Sequence, residues 1–419
     1  MNIGLQTWGS DGDIRPFAAL AGALAERGHR VTLAVTSVDG KDYQPLARAL
    51  GFTLVATPPP DVDAQAIARG ILRLRDPLWQ TWALFRRALL PGLPAIAELS
   101  RALVRENDLI VSHHLMFPLM ALAEKAGTRY ATVFFCPGAI PSAHLPPMDA
   151  PNLGRWGNRL LWKLGALIAD PPLRRMANRF RRAEGLPPLN NLFPDGWISP
   201  TLNLVAVSPA LFPPPPDWEG RHHLTGFFNV PDRADAAQWS LPEALTAFLD
   251  SGPPPVYFTF GSMTQFDPQS SIRLMYESAR RVNARAIIQA DATVIGAPVS
   301  ENVYWHSGPA PHSAIFPRCS AAVHHGGSGT TQAAVRAGAP SVVVPHGFDQ
   351  PYWGWLLHKR GLGGKPISRW RAAPEKLAAE INSILGDPGI RARARAAAAR
   401  LSGEDGPRRA AGLIESALR

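Results

Sequence analysis

The residues best suited to chemistry lie in one stretch, residues 324–350, which reads HHGGSGTTQAAVRAGAPSVVVPHGFDQ. A β-rich run ends here in two histidines and a glycine-rich turn, and a helical pattern follows. Glycine lets the backbone approach an anion closely, and the unpaired N–H groups at the start of a helix favour a phosphate. His325 and the hydroxyl of Thr330 can donate to the same oxygens. The stretch therefore predicts a pyrophosphate site.

A second chemical feature closes the same stretch. After a short apolar run at 341–344, a polar loop ends in Asp349 and Gln350. An acid beside an amide suits the hydroxyl groups of a sugar. A phosphate site and a sugar site one βα unit apart indicate an enzyme that uses a nucleotide sugar.

The elements that must position these residues alternate between strands and helices. The first half opens with a strand at 2–7, the loop GSDGDIRP, a helix near 17–27 and a strand at 31–35, which begins a parallel doubly wound sheet. Further strands are predicted at 109–111, 130–135, 202–207, 256–260, 286–289, 321–323 and 341–344. Helices are predicted at 270–282, 331–337, 374–385 and 408–418, with long helical insertions at 64–105 and 154–185.

Composition limits the class of protein. A chain of 419 residues is long enough for two α/β domains, and its two cysteines give neither a disulfide framework nor zinc spacing. We find no signal peptide and no run of 18 apolar residues, so we expect a cytoplasmic protein. The net charge is +10, but no nucleic-acid-binding motif accompanies it, so we expect no nucleic-acid partner.

The stretch at 324–350 resembles the donor-binding signature of family-1 glycosyltransferases, in particular the branch that glycosylates sterols, antibiotics and other lipophilic acceptors. The resemblance implies the GT-B fold, an α/β architecture of two Rossmann-like doubly wound domains facing across a cleft. We expect an acceptor-binding domain at 1–225, a linker at about 209–240 that begins in the proline-rich run FPPPP, and a nucleotide-sugar-binding domain at 241–400. The resemblance also implies that residues 401–419 form a helix that packs back on the first domain.

The loop at 9–16 resembles the first-domain loop of the same branch, in which the second acid, here Asp13, is the general base. A hydroxyl that attacks an anomeric carbon must lose its proton, so a carboxylate must lie within hydrogen-bond reach. The position of Asp13 also permits a role as a helix cap. The resemblance places Ser10 and Gly12 in donor binding, and His114 is a weaker alternative base.

For the donor, the resemblance implies two phosphate loops, a base-reading segment and a sugar-binding pair. Gly308–Arg318 resembles the segment that reads the uracil edge, although His312 could instead cap a short helix. Related plant enzymes carry a ribose-binding Glu where this chain has Ala333, and here Gln332 could bind the ribose instead. The choice between UDP and dTDP as the nucleotide therefore stays open. The predicted donor-binding residues are Gly261, Ser262, His312, His325, Gly327, Ser328, Gly329, Thr330, Asp349 and Gln350.

The expected reaction is an inverting, metal-independent transfer of a hexose, glucose first, from a UDP-sugar to a hydroxyl of a lipophilic acceptor such as a sterol, carotenoid, hydroxyacyl lipid or polyketide. No metal or other cofactor is expected. The alternatives are a rhamnosyl-type transferase that uses a dTDP-sugar and, with less support, a sugar-nucleotide 2-epimerase of the same fold.

Two basic amphipathic segments bear on the acceptor. Residues 155–182 contain eight Lys or Arg and one acid, with apolar residues at helical spacing, and residues 67–89 give a similar stripe. Core-facing helices would produce the same spacing. The local charge excess favours peripheral contact with an anionic membrane surface.

Overall fold

The structure is a computed structural model that describes residues 1–38, 40–57, 63–147, 150–193, 195–218, 220–231, 234, 241–282, 284–298, 300–308 and 311–417. The chain divides into two compact units. The first contains Met1–Ile67, Leu78–Ala234 and Glu404–Arg419, and the second contains Ala68–Pro77 and Asp235–Gly403. The sequence did not predict that Ala68–Pro77 would group with the second unit. Within that unit, the guanidinium of Arg75 lies over the ring of Trp370.

A seven-stranded parallel sheet forms the centre of the first unit. Its spatial order is β3-β2-β1-β4-β5-β6-β7. The strands are β1 (Asn2–Gly9), β2 (Arg30–Ser37), β3 (Thr53–Thr57), β4 (Leu109–His113), β5 (Arg129–Phe134), β6 (Leu202–Val205) and β7 (His222–Leu224). The central strands β1 and β4 are buried along almost their whole length, as a parallel sheet covered on both faces requires.

Helices cover both faces of this sheet. The helices in this part of the chain are α1 (Asp11–Glu26), α2 (Gln44–Leu50), α3 (Ala64–Leu72), α4 (Pro77–Leu84), a π-helical turn (Phe85–Leu89), α5 (Leu90–Glu106), α6 (Phe117–Ala126) and α7 (Gly154–Ala183), and residues 68–72 of α3 group with the second unit. One core cluster joins α1 and α2 to the sheet, and another joins α5, α6 and the second half of α7 to it.

The second unit has a five-stranded parallel sheet of order β10-β9-β8-β11-β12. Its strands are β8 (Val256–Thr259), β9 (Ala286–Ile288), β10 (Val303–Trp305), β11 (Ala321–His324) and β12 (Ser341–Val343). Its helices are α8 (Glu243–Asp250), α9 (Pro268–Ala279), α10 (His312–Ile315), α11 (Ser328–Arg336), α12 (Gln350–Lys359), α13 (Pro374–Gly386) and α14 (Pro388–Leu401), with 3₁₀ turns at Gly261–Phe266, Ala292–Ile295 and Phe316–Arg318.

The last helix, α15 (Gly406–Ser416), packs on the first unit. Ala410, Ala411 and Ile414 are buried in the same core cluster as α1. Glu415 receives hydrogen bonds from Arg27 and forms an ion pair with His29, and these contacts lower the pKa of Glu415 to about 2. His29 therefore has a structural role at the turn from α1 to β2, where its Nε2 lies 2.8 Å from Oε1 of Glu415. Leu418 and Arg419 lie outside the described residues.

Two expectations about boundaries were wrong. The loop predicted at 9–16 is mostly helix, because α1 begins at Asp11 with Ser10 as its N-cap, and Pro16 lies inside the helix. The proline-rich run expected to begin the linker packs inside the first unit, where Leu211, Phe212 and Trp218 are buried. Most of the later part of the predicted linker, residues 232–233 and 235–240, lies outside the described residues.

Candidate active site

The predicted site residues gather where the strand order of each sheet reverses. In the first sheet this point lies between β1 and β4, and in the second it lies between β8 and β11. The loops that follow these strands diverge there, so the carboxyl ends of such strands are where open α/β sheets bind ligands. Asp13 follows β1, and His325 follows β11.

Asp13 is held in the first turn of α1 by a reciprocal cap. Its Oδ2 accepts a hydrogen bond from the backbone N–H of Ser10 at 3.1 Å, and the N–H of Asp13 donates in return to the backbone carbonyl of Ser10 at 2.9 Å. Gly9 has φ +140°, and a Cβ at this position would lie 2.1 Å from Oδ2 of Asp13. The carboxylate can therefore occupy this place only because residue 9 is glycine.

The sequence did not single out His113 as a partner for Asp13. His113 ends β4, which pairs with β1, and its ring is buried. Its Nδ1 accepts the N–H of Leu115 at 3.2 Å, so the proton of the neutral ring is on Nε2. Nε2 lies 3.7 Å from Oδ1 of Asp13. Burial lowers the pKa of His113 well below its usual value, so the ring presents a neutral N–H to the carboxylate.

His114, the alternative base, turns in another direction. Its ring stacks on Phe134 at 4.9 Å and meets Trp197 edge to face. Burial lowers its pKa to about 4. The neighbouring acid Asp11 also lies apart from the pair, because its carboxylate receives hydrogen bonds from Tyr43 and Lys41.

In the second unit, two glycine loops meet around one histidine. A Cβ on Gly261, which follows β8, would lie 3.1 Å from Cε1 of His325. A Cβ on Gly327 would lie 2.5 Å from Nε2 of the same ring. Gly261 also has φ +54°, a conformation that favours glycine. The two loops predicted to bind phosphate are therefore adjacent, and the ring of His325 lies between them.

The start of α11 supplies backbone donors beside this ring. The N–H of Thr331 makes the first intrahelical bond, to the carbonyl of Gly327 at 3.0 Å. The N–H groups of Ser328, Gly329 and Thr330 precede it and belong to the turn that has no intrahelical acceptors. A Cβ on Gly329 would meet no protein atom, so the space beside this turn is open. Gln332 donates to the hydroxyl of Ser328 at 2.7 Å.

His325 is neutral in this environment. Burial lowers its pKa well below the usual value, and the nearby rings of His324, His346 and His312 lower it further. The Nδ1 atom of His325 is buried and has no hydrogen-bond partner among the described residues. A buried ring nitrogen without a partner is uncommon in a folded protein and is typical of a position that a ligand completes.

Asp349 and Gln350 have different local roles. Burial raises the pKa of Asp349 to about 6, although the indole N–H of Trp353 donates to its Oδ2 at 2.9 Å. Gln350 is buried, and its Oε1 accepts the backbone N–H groups of His346 and Gly347 at 2.7 and 3.2 Å. Gln350 thus shapes the loop that presents Asp349.

The remaining predicted residues lie near these groups. Ser262 is exposed in the turn after β8, and Gly12 is in the first turn of α1 with open space at its Cβ position. The ring of His312 stacks on Phe316 at 4.5 Å, so its side chain packs inside the unit. Pro309 and Ala310 of the predicted base-reading segment lie outside the described residues. No group of three or more His, Cys, Asp or Glu side chains in the described part of the chain could hold a metal ion.

Two doubly wound parallel sheets, with an acid at one switch point and glycine-rich loops around a buried histidine at the other, are the architecture of the GT-B class of glycosyltransferases. A family model described as "Erythromycin biosynthesis protein CIII-like, C-terminal domain" matches residues 273–416. The chain is 31% identical to an O-mycaminosyltylonolide 6-deoxyallosyltransferase of Streptomyces fradiae, with 99% of this chain and 97% of the relative covered. It is 30% identical to a vancomycin aglycone glucosyltransferase of Amycolatopsis orientalis, with 100% and 98% covered.

A more distant relative and solved structures agree. A sterol 3-beta-glucosyltransferase of Arabidopsis thaliana is 28% identical, with 97% of this chain and 66% of the relative covered. The fold matches the kitacinnamycin glycosyltransferase with a TM-score of 0.70 at 22% identity, covering 99% of this chain and 98% of that one. It matches the glycosyltransferase VinC, solved in complex with dTDP, with a TM-score of 0.68 at 19% identity over both whole chains. The protein belongs to the family of antibiotic and sterol glycosyltransferases, which confirms the predicted fold and enzyme class.

Proposed function

We propose that the protein is an inverting transferase that moves a hexose, glucose first, from a UDP-sugar to a hydroxyl of a lipophilic acceptor. The observation that supports the donor side is the position of His325 between Gly261 and Gly327, beside the first turn of α11. Two glycine loops and a helix N-terminus place several N–H groups where a diphosphate needs them. Asp349, presented from the loop after the neighbouring strand β12, would accept sugar hydroxyls.

The acceptor side of the proposal rests on Asp13. The acceptor oxygen attacks C1 of the sugar from the face opposite the diphosphate, and its proton passes to Asp13. The new C1–O bond forms as the bond from C1 to the β-phosphate oxygen breaks, and the nucleoside diphosphate leaves with the electron pair. Donors at His325, at Ser262 and at the start of α11 stabilise that growing charge, so we propose that no metal is required.

The nucleotide has two candidates. Relatives named as glucosyltransferases support glucose, whereas a relative named as a 6-deoxyallosyltransferase and a neighbour solved with dTDP support a dTDP-linked deoxysugar, including a rhamnosyl-type donor. The assignment to a glycosyltransferase family argues against the 2-epimerase alternative. We retain UDP-glucose as the first choice and a dTDP-sugar as the second.

The acceptor class is inferred from the family. Names of relatives give O-mycaminosyltylonolide, vancomycin aglycone and sterols. We propose a sterol, carotenoid, hydroxyacyl lipid or polyketide-like acceptor, reached from the cytoplasm. Cys136 and Cys319 form no disulfide, which is consistent with a reducing compartment.

The test is a panel of donors against a lipid extract and a set of polyketide aglycones. UDP-glucose, UDP-galactose, UDP-N-acetylglucosamine and dTDP-rhamnose are each supplied, with and without EDTA, and products are read by mass spectrometry. We expect one donor to yield a new glycoside and EDTA to leave the yield unchanged. Failure of every donor, or a strict need for a divalent metal, would overturn the proposal.

A further inference from the structure

The first half of α7 carries a row of apolar side chains that face outward. Trp156 is 81% exposed and Leu167 is 71% exposed, values that are unusual for large apolar residues on a structured helix. They recur at helical spacing and so share one face of the helix. We call this face the α7 stripe; its members are Trp156, Leu160, Leu164, Leu167 and Ile168.

The same half-helix is fixed to the first unit by other residues. Asn158 is buried and donates to the carbonyl of Ala143 at 3.1 Å. The indole of Trp162 donates to the carbonyl of Leu145 at 2.7 Å and stacks on Phe193 at 5.6 Å. Because these contacts hold the helix in place, the outward direction of the α7 stripe is set by the fold.

The other apolar spacings noted in the sequence have a different outcome. In the second half of α7, Leu173, Ala177 and Phe180 are buried in the core. In the segment at 67–89, Phe85 and Leu89 are buried in the same core cluster. Those positions are therefore ordinary core contacts, whereas the first half of α7 keeps its apolar row in contact with solvent.

The charge around the α7 stripe has one sign. Arg155, Arg159 and Lys163 are exposed on the same half-helix, and the sequence from 150 to 169 contains no acidic residue. The guanidinium of Arg159 lies over the ring of Trp156, 5.4 Å from its centroid. The basic groups and the apolar row therefore form one continuous surface.

We propose that the α7 stripe is a docking surface for an anionic bilayer. Tryptophan and leucine can enter the boundary between headgroups and acyl chains, while neighbouring arginine and lysine contact anionic headgroups. None of the helices in the described part of the chain is long and apolar enough to cross a membrane, and an amphipathic helix lying in the interface does not need to be. The inference deepens the proposed function, because a lipophilic acceptor partitions into that same layer.

The test compares three variants with the wild-type protein. The first replaces Trp156, Leu160 and Leu167 with Gln, and the second replaces Arg155, Arg159 and Lys163 with Gln. The matched control replaces three exposed arginines of α14, Arg391, Arg395 and Arg400, with Gln and so removes the same charge from the other unit. Co-sedimentation uses vesicles of phosphatidylcholine alone or of phosphatidylcholine with an equal part of phosphatidylglycerol.

We expect the wild type and the control to bind the vesicles that contain phosphatidylglycerol and to release them at high salt. The basic variant should bind about 100-fold more weakly, because each cationic side chain near an anionic surface contributes about fivefold. The apolar variant should also lose most of its binding. Equal binding by all four proteins, or no binding by the wild type, would overturn the inference. The inference would also be overturned if the sedimentation coefficient of the wild type exceeded that of the apolar variant, because the α7 stripe would then join two copies of the chain.

Affinity for UDP, measured by calorimetry on the same four proteins, separates this inference from the proposed function. If the wild type binds UDP but does not bind vesicles, only the inference of a membrane-docking surface is refuted. If the wild type binds neither UDP nor dTDP, the proposed donor site is refuted instead.

Discussion

Asp13 occupies its position because residues from distant parts of the sequence converge on it. Gly9 makes room for the carboxylate, Ser10 caps it, and His113 approaches it from the neighbouring strand. A carboxylate that faces an uncharged N–H is stabilised as an anion, yet one oxygen edge can still take a proton from an acceptor. The helix-cap role and the proposed base role of Asp13 are therefore compatible.

We predict that Asp13→Asn and Asp13→Ala lower kcat by about 10²–10⁴-fold, because the attacking hydroxyl loses its base. Affinity for UDP should be unchanged, as calorimetry would show. The matched control is Asp11→Asn, whose carboxylate is bound to Tyr43 and Lys41. A normal rate in the Asp13 variants with loss of activity in the Asp11 variant would mean that the wrong acid has been chosen.

His113 acts through Asp13 in this account and is a positioning residue. His113→Phe should reduce kcat about tenfold and move the acid limb of the kcat profile to higher pH, since the carboxylate loses its N–H neighbour. His113→Gln, which keeps an N–H donor, should restore part of the rate and the original limb. An equal loss in both variants with no movement of the limb would indicate a role in packing alone.

If Asp349 binds the sugar as proposed, its raised pKa makes donor binding sensitive to pH. Its pKa is about 6 in the folded protein, above the usual 3.8, so the acceptor form of the carboxyl is lost below about pH 6. Affinity for the intact sugar nucleotide should fall there relative to UDP, and Asp349→Asn should abolish that difference. The raised pKa favours the folded state below pH 3.8, and this contribution disappears as pH rises through 6. Asp349→Asn should therefore raise Tm at pH 8 but not at pH 4; the reverse order would contradict burial of the ionised form.

Much of the residue-scale site could be anticipated because glycine-rich turns, acids and histidines at strand ends are visible in sequence. The choice between His113 and His114 was not visible, because His113 ends β4 and His114 begins the turn that follows, and the sequence does not say which of these neighbouring rings approaches Asp13. The engagement of Gln350 with His346 and Gly347 was also hidden, because it depends on the fold of one short loop.

At the scale of elements, the decisive feature is that β8 and β11 are neighbours. Their pairing brings Gly261 and Gly327 to the same histidine although 66 positions separate them in the sequence. Strand pairing of this kind was expected from the alternation of strands and helices, whereas three strands were missed. Two of them, β7 and β10, have only three residues, too short for a periodic signal, and β3 is half-exposed.

Gly329 tests whether the turn that begins α11 binds phosphate. Its Cβ position is empty, so Gly329→Ala should leave Tm unchanged or slightly higher, while UDP affinity falls at least tenfold because the methyl group occupies ligand space. Gly412→Ala is the control, since this α15 glycine also has open space and lies outside the donor site. Equal UDP affinity in both variants, measured by calorimetry, would place the diphosphate elsewhere.

For the molecule as a whole, each unit has its own parallel sheet and its own switch point, and the chain returns at α15 to complete the core of the first unit. The first unit contains Asp13 and the α7 stripe, and the second contains the glycine loops around His325, where we propose that the diphosphate binds, and Asp349.

The most direct test of the central claim is the anomeric configuration of the product. With the donor that the panel selects, the glycoside is isolated and the coupling constant of its anomeric proton is measured by NMR, alongside nucleotide released per glycoside formed. The account predicts one nucleoside diphosphate per glycoside and inversion at C1, with both lost in Asp13→Asn. Retained configuration, or a full rate of glycoside formation in that variant, would contradict it.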